Sequence, residues 1–65
     1  MRVRVKVYTM PDEGTKAGRI LMALALLHQQ YPDAVLADDL PVLHHHHLDG
    51  TASVRVRFHS AGMVR

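Results

Sequence analysis

The sequence contains no cysteine. This absence excludes disulfide bonds, zinc sites built on thiolates and cysteine nucleophiles together. Histidine is then the side chain best suited to bind a transition metal. A chain without disulfides is compatible with a reducing compartment, and we expect a cytoplasmic protein.

Aromatic residues and long hydrophobic runs are also scarce. Tyr8, Tyr31 and Phe58 are the only aromatic residues, too few for an extended surface on which nucleic-acid bases stack. The most apolar run, residues 20–27, is far shorter than the roughly 20 residues that cross a bilayer. We therefore expect neither a transmembrane helix nor a signal peptide.

Motifs for catalysis are missing as well. The sequence has no glycine-rich phosphate loop and no serine nucleophile elbow, and the adjacent Asp38 and Asp39 would point to opposite sides of an extended segment. A chain of 65 residues is too small to enclose a deep cleft. We expect one domain over residues 1–65, no enzymatic activity and no cofactor.

The beginning of the chain alternates strictly between apolar and basic residues. Val3, Val5 and Val7 occupy one side of an extended chain, and Arg2, Arg4 and Lys6 occupy the other. This period of two predicts a half-buried strand, with its valines toward the core and its cations toward solvent.

A helix is predicted to follow the first strand. Asp12, Glu13 and Thr15 suit its first turn or cap, and Pro32 ends it near Tyr31. Its apolar residues extend over more than one face, and a small sheet can cover only one of them. We expect the surplus to form an interface with a second copy or a larger protein. These interface residues are Leu21, Met22, Ala25 and Leu26.

The third part of the chain has the pattern of a hairpin. Asp49 and Gly50 favour a two-residue turn between arms 42–48 and 51–59. In that register Leu48 opposes Thr51. His44 and His46 would share the polar face with Arg55 and Arg57, while His45 and His47 would share the face of Val54, Val56 and Phe58.

These elements predict an α+β fold of order β-α-β-β, with one sheet and a single helix packed on its apolar face. A right-handed crossover is expected if the first strand pairs in parallel. Residues 34–40 are compatible with either a loop or an edge strand.

Charge is segregated along the chain. Residues 1–8 and 51–65 carry cations but no acid, while residues 9–50 carry all six acids. We expect a basic sheet face that binds an anionic partner, either a nucleic-acid backbone or an acidic protein. If the first and last strands are neighbours, like charges would face each other. The alternative is an ordinary amphipathic strand with a soluble outer face. The predicted binding residues are Arg2, Arg4, Lys6, Arg55 and Arg57, and Arg65 adds to the basic segment.

Four consecutive histidines, His44 to His47, raise a second hypothesis. Histidines two apart on a strand project the same way and could bind zinc, copper or nickel. Each face supplies only two donors, so a closed tetrahedral site would need further ligands, for example from a second copy. Adjacent imidazoles would also repel one another once protonated, and a pH response of this arm is a third hypothesis.

The sequence as a whole favours a non-catalytic binding module. It would self-associate or dock through its helix and present the basic face to the anionic partner, in the manner of small phage-type inhibitors and adaptors. That comparison is one of size and style. The alternatives are an oligomer built on histidine-bound metal and a designed or structural oligomer without a ligand.

Overall fold

The structure is a computed structural model that describes residues 2–60. One sheet and one helix make up these residues, which confirms the α+β class and the single helix. The short strand within residues 34–40 extends the predicted order to β-α-β-β-β. The elements are β1 (Val3–Pro11), α1 (Lys16–Gln30), β2 (Ala34–Leu36), β3 (Val42–His46) and β4 (Thr51–Ser60).

β4 is the central strand of the sheet. β1 lies along one of its edges, and β3 and β2 follow each other along the other edge. Every pairing within residues 2–60 is antiparallel, so the parallel crossover considered from the sequence does not occur there.

Arg57 lies on β4 between the segment that pairs with β3 and the segment that pairs with β2. Its N–H donates to Pro41 O at 2.7 Å, and its carbonyl accepts from the N–H of Ala37 at 3.0 Å. The intervening residues loop out of the sheet, with Leu40 in the left-handed region at a φ of 43°. The Arg57 guanidinium donates to the carbonyl of Asp39 at 2.6 Å and thereby ties this loop to the central strand.

The helix begins and ends close to the predicted positions. The Thr15 hydroxyl accepts a hydrogen bond from the N–H of Gly18 at 3.0 Å, which caps the first turn. The N–H of Tyr31 donates to Leu27 O at the other end. Ala23 and Leu27 are fully buried and pack on β4.

The apolar face of β4 decides which side of the sheet is the core. Its even-numbered residues from Ala52 to Phe58 are fully buried or nearly so under α1. Tyr8 and Met10 extend this core onto β1. The four β4 residues are Ala52, Val54, Val56 and Phe58.

The side of β1 that faces the helix is the reverse of the prediction. Paired residues share a face, and β1 pairs Arg4 with Phe58 and Lys6 with Val56. The cations therefore lie on the helix side, and the valines lie on the uncovered side. Val3, Val5 and Val7 remain 41%, 54% and 53% exposed. The prediction was wrong because Tyr8 and Met10, together with the apolar run of β4, outweigh three small valines.

β1 and β4 are neighbours, but like charges do not face each other across them. The register places Val5 opposite Arg57 and Val7 opposite Arg55. Each cation is thus paired with an apolar side chain, and the expected repulsion between directly opposed cations does not arise.

The hairpin loop is one residue longer than predicted. The N–H of His47 donates to Thr51 O at 2.9 Å, so that residues 48–50 form the loop. Gly50 takes a φ of 86°, the left-handed conformation that closes three-residue hairpin loops. A carboxylate oxygen of Asp49 accepts hydrogen bonds from the N–H and hydroxyl of Thr51 at 3.1 and 2.6 Å.

Candidate binding surfaces

The longer loop reverses the predicted placement of the histidines. A one-residue change of register moves every side chain of a strand to the other face. His44 opposes Val54 and His46 opposes Ala52, so both lie on the helix side. His45 opposes Ser53 on the uncovered side. The histidines of β3 do alternate between faces, but the faces are exchanged relative to the prediction.

On the helix side, a buried arginine organises a polar cluster. Arg19 is 7% exposed. Its Nε donates to Nε2 of His44 at 3.0 Å, and its Nη1 donates to the carbonyl of Glu13 at 2.6 Å. The same Nη1 lies 3.4 Å from a carboxylate oxygen of Asp12. A buried guanidinium needs such partners, because an unpaired buried charge is costly.

Asp12 connects the arginine to the second histidine of the cluster. Its other carboxylate oxygen lies 2.7 Å from Nδ1 of His46. The rings of His44 and His46 meet edge to face, with centroids 4.7 Å apart. Asp12 is itself held by its N–H, which donates to Gly50 O at 3.0 Å. The cluster therefore joins the end of β1, the first turns of α1 and β3.

The polar cluster lowers the pKa values of two of its residues, Asp12 and His44. The hydrogen bond from His46 lowers the pKa of the Asp12 carboxyl, and the nearby Arg19 acts in the same direction. Desolvation lowers the pKa of His44, with further lowering by Arg19, His46 and Lys16. Because Nε2 of His44 accepts from Arg19, the neutral ring with its proton on Nδ1 is the form that fits.

Metal binding receives no support from this geometry. Within residues 2–60, no group of three or more histidine, aspartate or glutamate side chains is arranged to hold a metal ion. Nε2 of His44 already accepts from Arg19, and Nδ1 of His46 is bonded to Asp12. Nε2 of His47 lies 2.6 Å from the Ser53 hydroxyl. Each of these bonds engages one ring nitrogen of its histidine.

Sequence reasoning did not identify Arg19 or the role of Asp12. A signal for the arginine was present, since Arg19, Ala23 and Leu27 recur every four residues along the helix. That spacing places the arginine on the buried stripe. Nothing in the sequence indicates the partnership of Asp12 with His46, because 34 residues separate them.

A shallow cleft adjoins the cluster. It has a volume of about 350 Å³ and lies between the end of β1 and the first turns of α1. Met10 and Met22 contribute apolar walls, and Arg19 lies at its border. The guanidinium is already bonded within the cluster, so the cleft is mainly an apolar depression.

The uncovered side of the sheet is a mixed apolar and basic surface, called the open face below. Arg55 and Arg57 lie along its centre on β4, and His59 continues the row. The exposed valines of β1 flank this row on one side, and Val35 of β2, 59% exposed, flanks it on the other. The exposed valines and the basic row of the open face are Val3, Val5, Val7, Val35, Arg55, Arg57 and His59.

The five cations predicted to share one basic face of the sheet therefore do not lie on the same side. Arg55 and Arg57 belong to the open face. Arg4 and Lys6 lie on the helix side, where the Arg4 guanidinium is 4.9 Å from the centre of the Tyr31 ring. Arg2 precedes β1 and is exposed, and Arg65 lies outside the described residues. The prediction that they share one face was wrong, because the register pairs even-numbered residues of β1 with the buried residues of β4.

The helix leaves an apolar strip uncovered, as the sequence indicated. Leu21, Met22 and Leu26 are 67%, 55% and 39% exposed, and Ala25 is also exposed. These four residues are the helix strip. His28, close to it, is exposed and bonds through Nδ1 to the carbonyl of Leu24.

Comparisons of the chain with protein-family models, with curated proteins and with solved structures yield no significant match. Among residues 2–60, no helix has the length and apolar character needed to cross a membrane. The chemistry of the described surfaces therefore carries the functional conclusion.

Proposed function

We propose that the chain is a non-catalytic binding module that self-associates through the helix strip and presents the open face to an acidic protein partner. The observation that supports this proposal is the exposure of apolar side chains on both outer surfaces. Leu21 on the helix and Val5 on the sheet are both more than half exposed. Contiguous apolar surface of this kind marks interaction sites in small proteins.

The helix strip is suited to a second copy because it carries no charge. Residues 20–30 include no aspartate, glutamate, lysine or arginine. Two copies can therefore bring their strips together without like-charge repulsion, and a symmetric dimer uses the same patch on both subunits. Burying Leu21 and Met22 would supply the driving force.

The open face is better suited to a protein than to a nucleic acid. Arginines among apolar side chains are typical of protein interfaces. Stacking of bases would need exposed aromatic rings, and the three aromatic residues are engaged elsewhere. The Tyr8 hydroxyl donates to Gln30 at 2.8 Å. Tyr31 packs on Phe58 with ring centroids 4.9 Å apart, and Phe58 is buried.

The oligomeric part of the proposal is tested by native mass spectrometry and sedimentation of untagged protein. Leu21→Glu introduces a charge into the helix strip and is expected to give monomers where the unmodified chain gives dimers. Val35→Glu is the matched control, since it places the same charge on an apolar residue of the open face that is 59% exposed. A monomeric unmodified chain, or dissociation by the control alone, would overturn this part.

The partner class is tested by fluorescence anisotropy with polyglutamate and with single-stranded DNA of equal charge. Arg55→Gln is expected to weaken polyglutamate binding more than Lys16→Gln, which removes the same charge from the helix. Tighter binding of the DNA, equally affected by both variants, would indicate a nucleic-acid partner and contradict the proposal.

A further inference from the structure

The outer edge of β1 presents backbone hydrogen-bonding groups that β4 does not use. The N–H of Asp12 donates to Gly50 O. In the register that this bond continues, the backbone N–H and C=O groups of the even-numbered residues of β1 point toward β4. Backbone groups alternate between the two edges of an antiparallel strand. Within residues 2–60, β1 pairs with β4 alone. The N–H and C=O groups that face outward therefore belong to Val3, Val5, Val7 and Thr9.

Pro11 supports this assignment. It occupies the next outward-facing position at the end of β1. Proline has no N–H, and it is tolerated in sheets where that group would point away from the ladder. The preceding stretch of the strand contains no proline, so every outward N–H from Val3 to Thr9 is available for pairing.

The side chains along this edge combine two chemistries. Arg4 and Lys6 alternate on the helix side, and the exposed valines alternate on the open face. Residues 2–11 contain no aspartate or glutamate. A strand placed beside β1 would therefore meet cations on one of its faces and apolar groups on the other.

A second copy of this chain does not fit the edge. If two β1 strands paired, the lysine and arginine side chains of both copies would crowd onto one side of the joint sheet. Like charges opposite each other destabilise such a pair. Lysines on exposed edges are a recognised protection against self-pairing. The same cations favour an acidic strand in that place.

We infer that the edge of β1 binds an extended segment of a partner protein in which acidic and apolar residues alternate, by adding it to the sheet as a further strand. Backbone bonds to the outward groups provide affinity, and the alternating side chains provide specificity. The acidic residues pair with Arg4 and Lys6, and the apolar residues extend the valine row. This inference rests on the assignment of the chain as a module for acidic protein partners, and it adds the site and the form of the ligand.

The probe is a synthetic seven-residue peptide that alternates glutamate and valine, with blocked ends. Amide hydrogen exchange followed by NMR reports the site directly. The amides of Val3, Val5, Val7 and Thr9 are expected to exchange rapidly in the protein alone and to slow at least about tenfold with saturating peptide. The amides of Lys6 and Tyr8 already bond to β4 and are expected to change little.

Two kinds of variant test the contacts. The chain is short enough for chemical synthesis, and N-methylation of Val5 and Val7 removes two outward donors while retaining both side chains. We expect peptide affinity to fall at least about tenfold, since each lost bond is worth roughly a factor of five. The double variant Arg4→Gln with Lys6→Gln is expected to weaken binding by roughly fivefold to tenfold.

The matched control for the charge is Lys16→Gln on the helix, compared with the single variant Lys6→Gln, which removes the same charge from the edge of β1. An equal loss of affinity in this control overturns the edge assignment. A peptide with lysine in place of glutamate is expected to show no binding, and equal binding of both peptides also contradicts the proposal.

The outcomes also separate this inference from the proposed function. Peptide binding that perturbs the surroundings of Arg55 without slowing the outward amides of β1 overturns the edge site and leaves the open face as the acidic-partner surface. Slowed amides in β1 with no effect of Arg55→Gln support the edge and refute the open face. Slowing that depends on protein concentration, without peptide, identifies a second copy as the occupant and overturns the inference.

Discussion

Arg19 donates its Nε–H to Nε2 of His44 over 3.0 Å, across 25 residues of sequence. The bond requires a histidine nitrogen without a proton. The neutral form of His44 is thus part of the folded structure, and the positive charge of the cluster stays on the arginine. The fold therefore couples its stability to the protonation of one histidine.

The first prediction concerns the free energy of unfolding as a function of pH. The pKa of His44 is lowered from 6.5, chiefly by desolvation and by Arg19, while Asp12 opposes the shift. The unfolded chain then binds this proton more readily than the folded one. The contribution of His44 is fully present above about pH 6.5 and is lost as the pH falls through the lowered pKa of the folded state.

Urea unfolding at a series of pH values measures this dependence. His44→Gln retains an oxygen that can accept from Arg19 but cannot titrate, so the variant is expected to lose less stability between pH 7 and pH 5. An unchanged slope in the variant would show that other histidines cause the dependence. A second loss is expected below about pH 3.8, as the carboxyl of Asp12, whose pKa is lowered, becomes protonated.

The second prediction concerns the buried guanidinium. Arg19→Met keeps most of the volume and the apolar stem, but it leaves Nε2 of His44 and the carbonyl of Glu13 without their donor. We expect a loss of about 1–3 kcal/mol in the free energy of unfolding. Lys16→Met, on the exposed start of the helix, is expected to stay within about 0.5 kcal/mol. Similar values for the two variants would contradict the role given to Arg19.

The third prediction concerns the hairpin loop. Gly50 has a φ of 86°, and a side chain with a Cβ at that angle costs roughly 1–2 kcal/mol. Gly50→Ala is therefore expected to destabilise the fold by about 1 kcal/mol, and Gly50→Asn by less, because asparagine tolerates the left-handed region. Thermal unfolding followed by circular dichroism ranks the variants. If alanine and asparagine are equal, the loop does not have this geometry.

The fourth prediction distinguishes the two sides of the sheet. Val56 is fully buried, whereas Val7 is 53% exposed. Val56→Ala is expected to cost about 1.5–3 kcal/mol. Val7→Ala is expected to stay within roughly 0.5 kcal/mol. The reverse ranking in urea unfolding would place the core on the other face of the sheet.

Four of the five elements, β1, α1, β3 and β4, were predictable because each has a local cause, whereas residues 34–40 were compatible with either a loop or an edge strand. Alternation in residues 1–9 predicted β1, and Thr15 and Pro32 predicted the limits of the helix. The surplus of apolar residues on the helix indicated that Leu21 and Met22 would stay exposed, and the structure confirms it. Caps, breakers and periodicity act within a few residues, so a single sequence contains them.

The side of each strand that is buried was not determined locally. An alternating strand shows that its two faces differ, but which face is inside depends on the strand beside it. In β1, Tyr8 and Met10 pack in the core and the valines do not, because the register pairs the even-numbered residues of β1 with the buried apolar residues of β4. In β3 one additional loop residue exchanged the faces of the histidines.

The sequence by itself determined the order of β1, α1, β3 and β4, the single helix with its exposed apolar strip and the separation of basic strands from acidic loops, but it left β2 undecided. Only the tertiary structure decided the register of the hairpin, the faces of the valines and histidines, and the meeting of Arg19 with His44. The physical reason is the range of the forces. Local propensity acts between neighbours along the chain, while register and burial are chosen by contacts between residues tens of positions apart.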